Sequence, residues 1–356
     1  MTTHYLNQYL ETALVGDATT DHAFMLQRWL REMGIDSQIY AENCQPELER
    51  SVKPARSYRS KKQEGLLIYH HAIGSRAAER LIEDGQELIL IYQNITPPEF
   101  FNTLDPSMAR QMALGREQLA ALRQQTKLAI GASDYSEKEL KEFGYSQTGV
   151  IPLVLNEKEY QVPANEELVQ RYSDLGPILL FVGRIVPNKK QEDLIKLLYY
   201  YRRIEPNAIL LLVGGHFPPG YTYWIKELSI DLGLDQAVIY TDHLSLEEMS
   251  YYYQLADFFV SMSEHEGFCK PLIESMYFNL PVIAFNAAAI PYTMAGSGVL
   301  FQHKHFEALA EFIDMLNKNS KLRQQIVSGQ NRRLADFLEA NVRDNFEQEL
   351  NNLNLF

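Results

Sequence analysis

Short apolar runs, most closing on glycine, histidine, asparagine or serine, alternate with amphipathic segments along most of this chain. "GLLIYH" (65–70), "ELILIYQN" (87–94) and "KLAIGAS" (127–133) occupy the first half. "PILLFVGR" (177–184), "AILLLVGG" (208–215), "AVIYTDHLS" (237–245), "DFFVSMS" (257–263) and "PVIAFN" (281–286) occupy the second. Near-continuous apolar strands separated by helical segments are buried on both faces, so the pattern predicts parallel sheets covered by helices on each side. The polar stretch 156–176 interrupts the rhythm and reads as a linker. The expected fold class is therefore α/β, with a Rossmann-like doubly wound domain over 1–160, a second over 161–335, and a helical tail over 336–356. A chain of 356 residues is long enough for two such domains.

Composition closes several functional classes. A formal charge of −13 repels phosphate backbones, so nucleic-acid binding is not expected, although a small phosphorylated ligand in a locally positive pocket is compatible with it. Two cysteines, Cys44 and Cys269, cannot build a disulfide framework and fit a reducing cytoplasm. The first residues show no charged segment leading into an apolar core, so no signal peptide is expected. No apolar run approaches the roughly 18 residues a membrane span needs. The segment 50–63, "RSVKPARSYRSKKQ", carries six cations and reads either as a solvated charged loop or as a surface for anionic lipid headgroups at the inner membrane face.

In doubly wound sheets ligands sit beyond the carboxyl ends of the strands. The residues at those ends are His70, His71, Asn94, Ser133, Gly183, Arg184, Gly214, Gly215, His243 and the stretch "SEHEGFCKPLIE" (263–274). In that stretch Pro271 suits a first helical position, so the N–H groups of Phe268, Cys269 and Lys270 are expected at a helix N-terminus, where anions bind. Glu274 is expected in the first helical turn and Glu266 just outside it. Flanking an anion site, the two carboxylates make chemical sense as acceptors for hydroxyls at the two ends of one ligand, a sugar and a ribose. The plain reading, a glutamate favoured by the helix dipole, stands beside this one. "FVGRIVPNKK" adds Gly183 for close backbone approach and the cations Arg184 and Lys189, which would neutralise a leaving diphosphate. The alternative there is a solvated basic loop. No Asp-x-Asp triplet occurs, so no metal site is expected.

"GRIVPNK", followed about eighty residues later by "EGFCKPLIE", resembles family 4 of the retaining glycosyltransferases. "ESMYFNLPVIAF", "VGDATTDHAFMLQRWLREMGIDSQIYA", "YHHAIGS" and "YQNITPPEFF" extend the likeness over nearly the whole chain and towards the branch that assembles bacterial polysaccharides. The resemblance implies the GT-B fold, two Rossmann-like domains facing each other across a cleft. It implies a metal-independent retaining transfer of a hexose or hexuronate from a nucleoside-diphosphate sugar to a hydroxyl of a saccharide or lipid-linked acceptor. UDP-glucose or UDP-glucuronic acid is the first expectation for the donor and GDP-mannose the next, with no other cofactor. Carried over by residue, Arg184 and Lys189 grip the diphosphate. Glu266 holds donor-sugar hydroxyls, with Gly267, Phe268 and Cys269 assisting through their backbone, and the Lys270 N–H serves a phosphate. Glu274 takes the ribose diol and His70 reaches the donor sugar. Gly16 and Asp17 belong to the loop that closes on phosphate and acceptor, and His243 and Leu244 edge the nucleobase. The tail is expected to pack back on the first domain. Cys269 stands where the family commonly has glycine, and the Lys270 side chain has no counterpart there. A sugar-nucleotide epimerase and a non-catalytic sugar-nucleotide-binding protein of the same architecture remain as alternatives.

Overall fold

The computed structural model describes residues 5–58, 65–172, 175–216 and 218–353. The chain divides into two compact units. Unit 1 comprises residues 1–102, 106–153 and 340–356, and unit 2 comprises 103–105 and 154–339. The stretch read as a linker, 156–176, therefore lies within unit 2. Residues 59–63 of the basic segment fall, apart from the neighbouring 50–58, outside the described residues.

Unit 1 begins β1 (Asn7–Ala13), α1 (Ala18–Glu32), β2 (Ile39–Cys44), β3 (Val52–Pro54), β4 (Leu67–His71) and α2 (Arg76–Asp84). It continues β5 (Leu88–Tyr92), α3 (Pro106–Leu122), β6 (Thr126–Gly131), α4 (Asp134–Glu142) and β7 (Thr148–Val150). The seven strands are parallel in the order β3-β2-β1-β4-β5-β6-β7. All five residues of β4 and of β5 are buried, as strands covered on both faces must be. Tyr9, Tyr69, Leu88, Leu90 and Leu119 fill the core on one side.

Unit 2 runs α5 (Glu166–Tyr172), β8 (Ile178–Val182), α6 (Gln191–Tyr201), β9 (Ile209–Val213), α7 (Pro219–Asp231), β10 (Val238–Tyr240) and α8 (Leu246–Leu255). It continues β11 (Phe258–Ser261), α9 (Lys270–Tyr277), β12 (Val282–Phe285), α10 (Ile290–Met294), β13 (Val299–Phe301), α11 (Phe306–Lys318) and α12 (Ser320–Leu334). Its six parallel strands are ordered β10-β9-β8-β11-β12-β13. The last helix, α13 (Glu339–Asn352), belongs almost wholly to unit 1. There Phe346 lies 5.8 Å from Trp29 and Arg343 pairs with Glu32.

Each sheet reverses direction once, between β1 and β4 and between β8 and β11. Right-handed crossovers wind away from the sheet centre on both sides of that point, so the two strand ends there are left uncovered by a connection. In unit 2 those ends lead into "GRIVPNKK" and "SEHEGFCKPLIE".

Candidate functional site

The pairing of β8 with β11, Phe258 opposite Leu179 and Phe259 opposite Leu180, brings together two loops that are far apart in sequence. Asn188 ties them. Its carbonyl accepts the Glu264 N–H at 2.8 Å, and its side-chain amide donates to the His265 carbonyl at 2.9 Å. With the loops so held, Lys189 Nζ lies 2.6 Å from Glu266 Oε1, both side chains largely buried. An ammonium has three N–H donors. One serves Glu266, and two remain for a further anion.

Arg184 is exposed at the end of the β8 loop, outside the ion pairs just described. Behind it, Gly183 and Gly214, the residues that follow β8 and β9, meet backbone to backbone. A Cβ on Gly214 would stand 2.3 Å from the Gly183 carbonyl oxygen, and Gly214 has φ +143. Only glycine fits there. Lys190, itself at φ +55, lies 3.4 Å from Glu264 and 3.7 Å from Glu192. Lys304, just past β13, lies 2.8 Å from Glu264 and 2.9 Å from Asp193, with its ammonium 4.6 Å from the Phe285 ring centre. Bonds to Lys304 and Lys196 hold the Asp193 carboxyl below its usual range against the opposing effect of burial.

The second loop enters α9 through Cys269, which adopts φ +70 and ψ +69 and caps nothing with its side chain. A left-handed residue at this point explains why glycine suits it. Cysteine is accommodated at a cost of about 1 kcal/mol. Burial pushes its thiol well above the ordinary range, so it is inert as a nucleophile. The helix starts at Lys270 rather than Pro271, so Glu274 is its fifth residue and lies outside the first turn. The proline occupies the second position, where its missing N–H is equally harmless. Pro271 has no N–H and the Leu272 N–H donates to the Cys269 carbonyl at 3.0 Å, so the Lys270 N–H is the first-turn donor best placed for an anion. Thr293 fixes the Phe268 carbonyl from behind at 2.6 Å.

Glu274 is buried, and both its oxygens are engaged. Tyr160 donates to Oε1 and Tyr253 to Oε2, each at 2.6 Å. The Lys270 ammonium is 3.9 Å from Oε1, which gives that side chain a partner one helical turn on. His243 is exposed and Leu244 half-buried in the loop between β10 and α8. Among the described residues no group of three or more His, Cys, Asp or Glu is placed to hold a metal ion.

Gly16, Asp17 and His70 lie in unit 1, at the ends of β1 and β4. Gly16 makes the turn after β1. Asp17 Oδ2 caps α1, accepting from the N–H groups of Thr19 and Thr20 at 3.0 and 3.1 Å. His70 and His71 point to opposite faces of β4. His70 Nε2 is 2.9 Å from Gln8 Oε1, and His71 Nε2 is 2.8 Å from the Gly115 carbonyl. Burial holds both well below the usual histidine range, His71 at about 4.

The sequence pattern did not single out Asn188, Lys304, Tyr160 or Tyr253. Asn188 lies inside a stretch quoted for its cations. Lys304 follows a three-residue strand too short to register. Tyr160 sits in the polar stretch, and Tyr253 in a tyrosine run that reads as packing.

Parts of the chain, and its fold, are similar to known proteins. Residues 170–333 match the family model described as "Glycosyl transferases group 1". That similarity covers a little under half of the chain, most of unit 2. A GDP-mannose-dependent alpha-(1-6)-phosphatidylinositol monomannoside mannosyltransferase of Mycolicibacterium smegmatis is 29% identical over 140 residues, 37% of this chain and 36% of the relative. An alpha-monoglucosyldiacylglycerol synthase of Streptococcus pneumoniae is 27% identical over 236 residues, 61% of this chain and 51% of the relative. These alignments span between about a third and a half of the relatives' length. Among solved structures, Anabaena HepE in complex with UDP and glucose superposes with a TM-score of 0.78 at 16% identity, covering 98% of this chain and 100% of HepE. The fold, two parallel-sheet Rossmann-like α/β units, is that of GT-B glycosyltransferase structures.

Proposed function

We propose that the protein transfers a hexose or hexuronate from a nucleoside-diphosphate sugar to a hydroxyl of a saccharide or lipid-linked acceptor, with retention and without a metal ion. The Lys189–Glu266 contact at 2.6 Å carries the reading, because it joins a cation suited to a diphosphate to a carboxylate suited to sugar hydroxyls. Arg184, Lys189 and the Lys270 N–H at the start of α9 neutralise the diphosphate as its bond to the anomeric carbon breaks. Glu266, accepting from Lys189, also accepts from hydroxyls of the sugar. Glu274 takes the ribose, and His243 and Leu244 border the base. The acceptor oxygen bonds to the anomeric carbon on the face the diphosphate leaves, its proton passes to a donor phosphate oxygen, and a nucleoside diphosphate is released. In this scheme Gly16, Asp17 and His70 serve the acceptor side and the sugar.

UDP-glucose or UDP-glucuronic acid is the first donor to test, in keeping with the UDP in HepE, and GDP-mannose the second, in keeping with the mycobacterial relative. The relatives named for phosphatidylinositol and diacylglycerol products support a lipid-linked acceptor reached from the cytoplasm at a membrane surface. No helix among the described residues is long and apolar enough to cross a membrane.

A panel of UDP-, GDP- and ADP-sugars, read by thermal shift and by release of nucleotide, tests the proposal. One donor should raise the melting temperature and be consumed when an acceptor is present. Failure of every donor to bind would return the protein to a non-catalytic role. Epimerised nucleotide sugar formed without acceptor would make it an epimerase.

A further inference from the structure

The surroundings of Glu274 are unusual for a carboxylate needed only to receive a ligand. The group is buried, and two neutral phenols meet its two oxygens at hydrogen-bond distance, while the Lys270 ammonium stands farther off, 3.9 Å from Oε1. Tyr160 comes from the turn before α5 and is 1% exposed, while Tyr253 comes from α8 and is fully buried. Their rings are themselves held. Tyr253 stacks on Phe278 at 5.1 Å with the planes 4° apart, and Tyr160 meets Phe278 edge-on at 6.0 Å and Tyr277 at 5.7 Å. Neither hydroxyl can swing away without disturbing this aromatic packing.

A carboxylate offers about four lone-pair directions, two per oxygen. Each tyrosine occupies one direction on its own oxygen. One direction per oxygen is left, and the plane of the group is fixed by the two hydroxyls. Two parallel acceptor positions on one rigid plane suit two adjacent hydroxyl donors, a vicinal diol. A carboxylate held by a single partner could rotate and would match a lone hydroxyl as well as a pair.

We propose that Tyr160 and Tyr253 are positioning residues that orient Glu274 for bidentate recognition of the ribose diol, and that they set the preference for ribo- over 2′-deoxyribonucleotides. The proposal rests on the nucleotide-sugar reading above. It differs from a packing role because it concerns discrimination, not affinity alone. A tyrosine that merely fills space supports both nucleotides equally. A tyrosine that orients the carboxylate matters only to the one with both hydroxyls.

The experiment compares Kd for UDP and 2′-deoxy-UDP, and for GDP and 2′-deoxy-GDP, by calorimetry. It uses the wild type, Tyr160→Phe, Tyr253→Phe, the double variant and Glu274→Gln. The wild type should prefer the ribonucleotide by about tenfold or more, the value of one well-made charged hydrogen bond. Each single variant should cut that preference about threefold, and the double variant should match Glu274→Gln. Binding of the deoxynucleotide should change less than twofold in the tyrosine variants, which also shows that each of them is folded. A double-mutant cycle with Glu274→Gln gives a second measure, since the tyrosine effects should vanish in that background. Equal weakening of ribo- and deoxynucleotides, or an unchanged preference, overturns the positioning role while leaving the nucleotide-sugar reading intact. A wild type that binds no nucleotide overturns that reading, and this inference with it.

Discussion

The two sheets turn at the same topological point but present opposite chemistry there. In unit 2 the ends of β8 and β11 gather five cations (Arg184, Lys189, Lys190, Lys270, Lys304) and five anions (Glu192, Asp193, Glu264, Glu266, Glu274), most of them paired. In unit 1 the fully buried groups at the ends of β1 and β4 are uncharged, and the carboxylates there, Glu11 and Asp17, are engaged with backbone N–H groups. Gln8 donates to the Ala23 carbonyl at 2.8 Å, which turns its Oε1 towards His70. His70 Nε2 therefore carries the proton, and its Nδ1 is a bare acceptor without a partner among the described residues. His22, 5.8 Å away and edge-on, likewise leaves Nε2 unpartnered. Desolvation holds His22 near 4. Within a chain of net −13, the charge-balanced cluster removes the local repulsion that an anion would otherwise meet. A neutral imidazole pair suits hydroxyl groups and would repel little of anything. The fold thus supplies the same crevice twice, and side-chain charge differentiates the two.

Breaking the charged side should have the largest effect. Lys189→Met and Glu266→Gln keep volume but remove the pair, and turnover should fall by about 10²–10³, the usual loss when a fixed electrostatic donor is removed. Nucleotide release measures it, with the melting temperature as a check on folding. Wild-type turnover in either variant would remove the role given to that residue.

Gly214→Ala tests the frame beneath the cations. The 2.3 Å approach to the Gly183 oxygen and the positive φ together should destabilise unit 2 by about 3 kcal/mol or more, visible in chemical denaturation.

The neutral side should fail through pH. His22 and His71 bind a proton near 6.5 when unfolded and near 4 when folded. Below pH 6.5 the unfolded chain takes up more protons, so stability is full above that value and declines as pH falls from 6.5 towards 4. Each group contributes about 3 kcal/mol to the loss at the acid end. The melting temperature should fall over this window, less steeply in His22→Gln. A flat profile would show that the imidazoles reach water.

Cys269→Gly should have the smallest effect, within about 1 kcal/mol, because relief of the left-handed backbone offsets the loss of a small buried side chain. Activity should persist, since the proposed contact there is made by the backbone.

Apolar periodicity made most of the inner strands legible, because a strand buried on both faces has almost no polar residues to blur its limits. β1 to β3 and β13 were not legible in that way. "NQYLETA" places polar and apolar residues in pairs rather than in a run, with Gln8 buried and bonded, and β3 and β13 have three residues each. Likewise Arg184, Lys189, Glu266 and Glu274 stood out by residue type at the strand ends, whereas Asn188, Lys304 and the two tyrosines carried no local signal.

By itself the sequence determined which segments form most of the inner strands, which residues follow them, and that charge gathers after two strands of the second half. Those properties are local, set by side-chain polarity and chain direction. Tertiary structure alone decided that β8 and β11 are neighbours, and so that Lys189 meets a glutamate 77 residues away. It also decided that Tyr160 and Tyr253 converge on one carboxylate. Strand order follows from how right-handed crossovers pack helices on a sheet, and that is a property of the whole unit, not of any stretch within it.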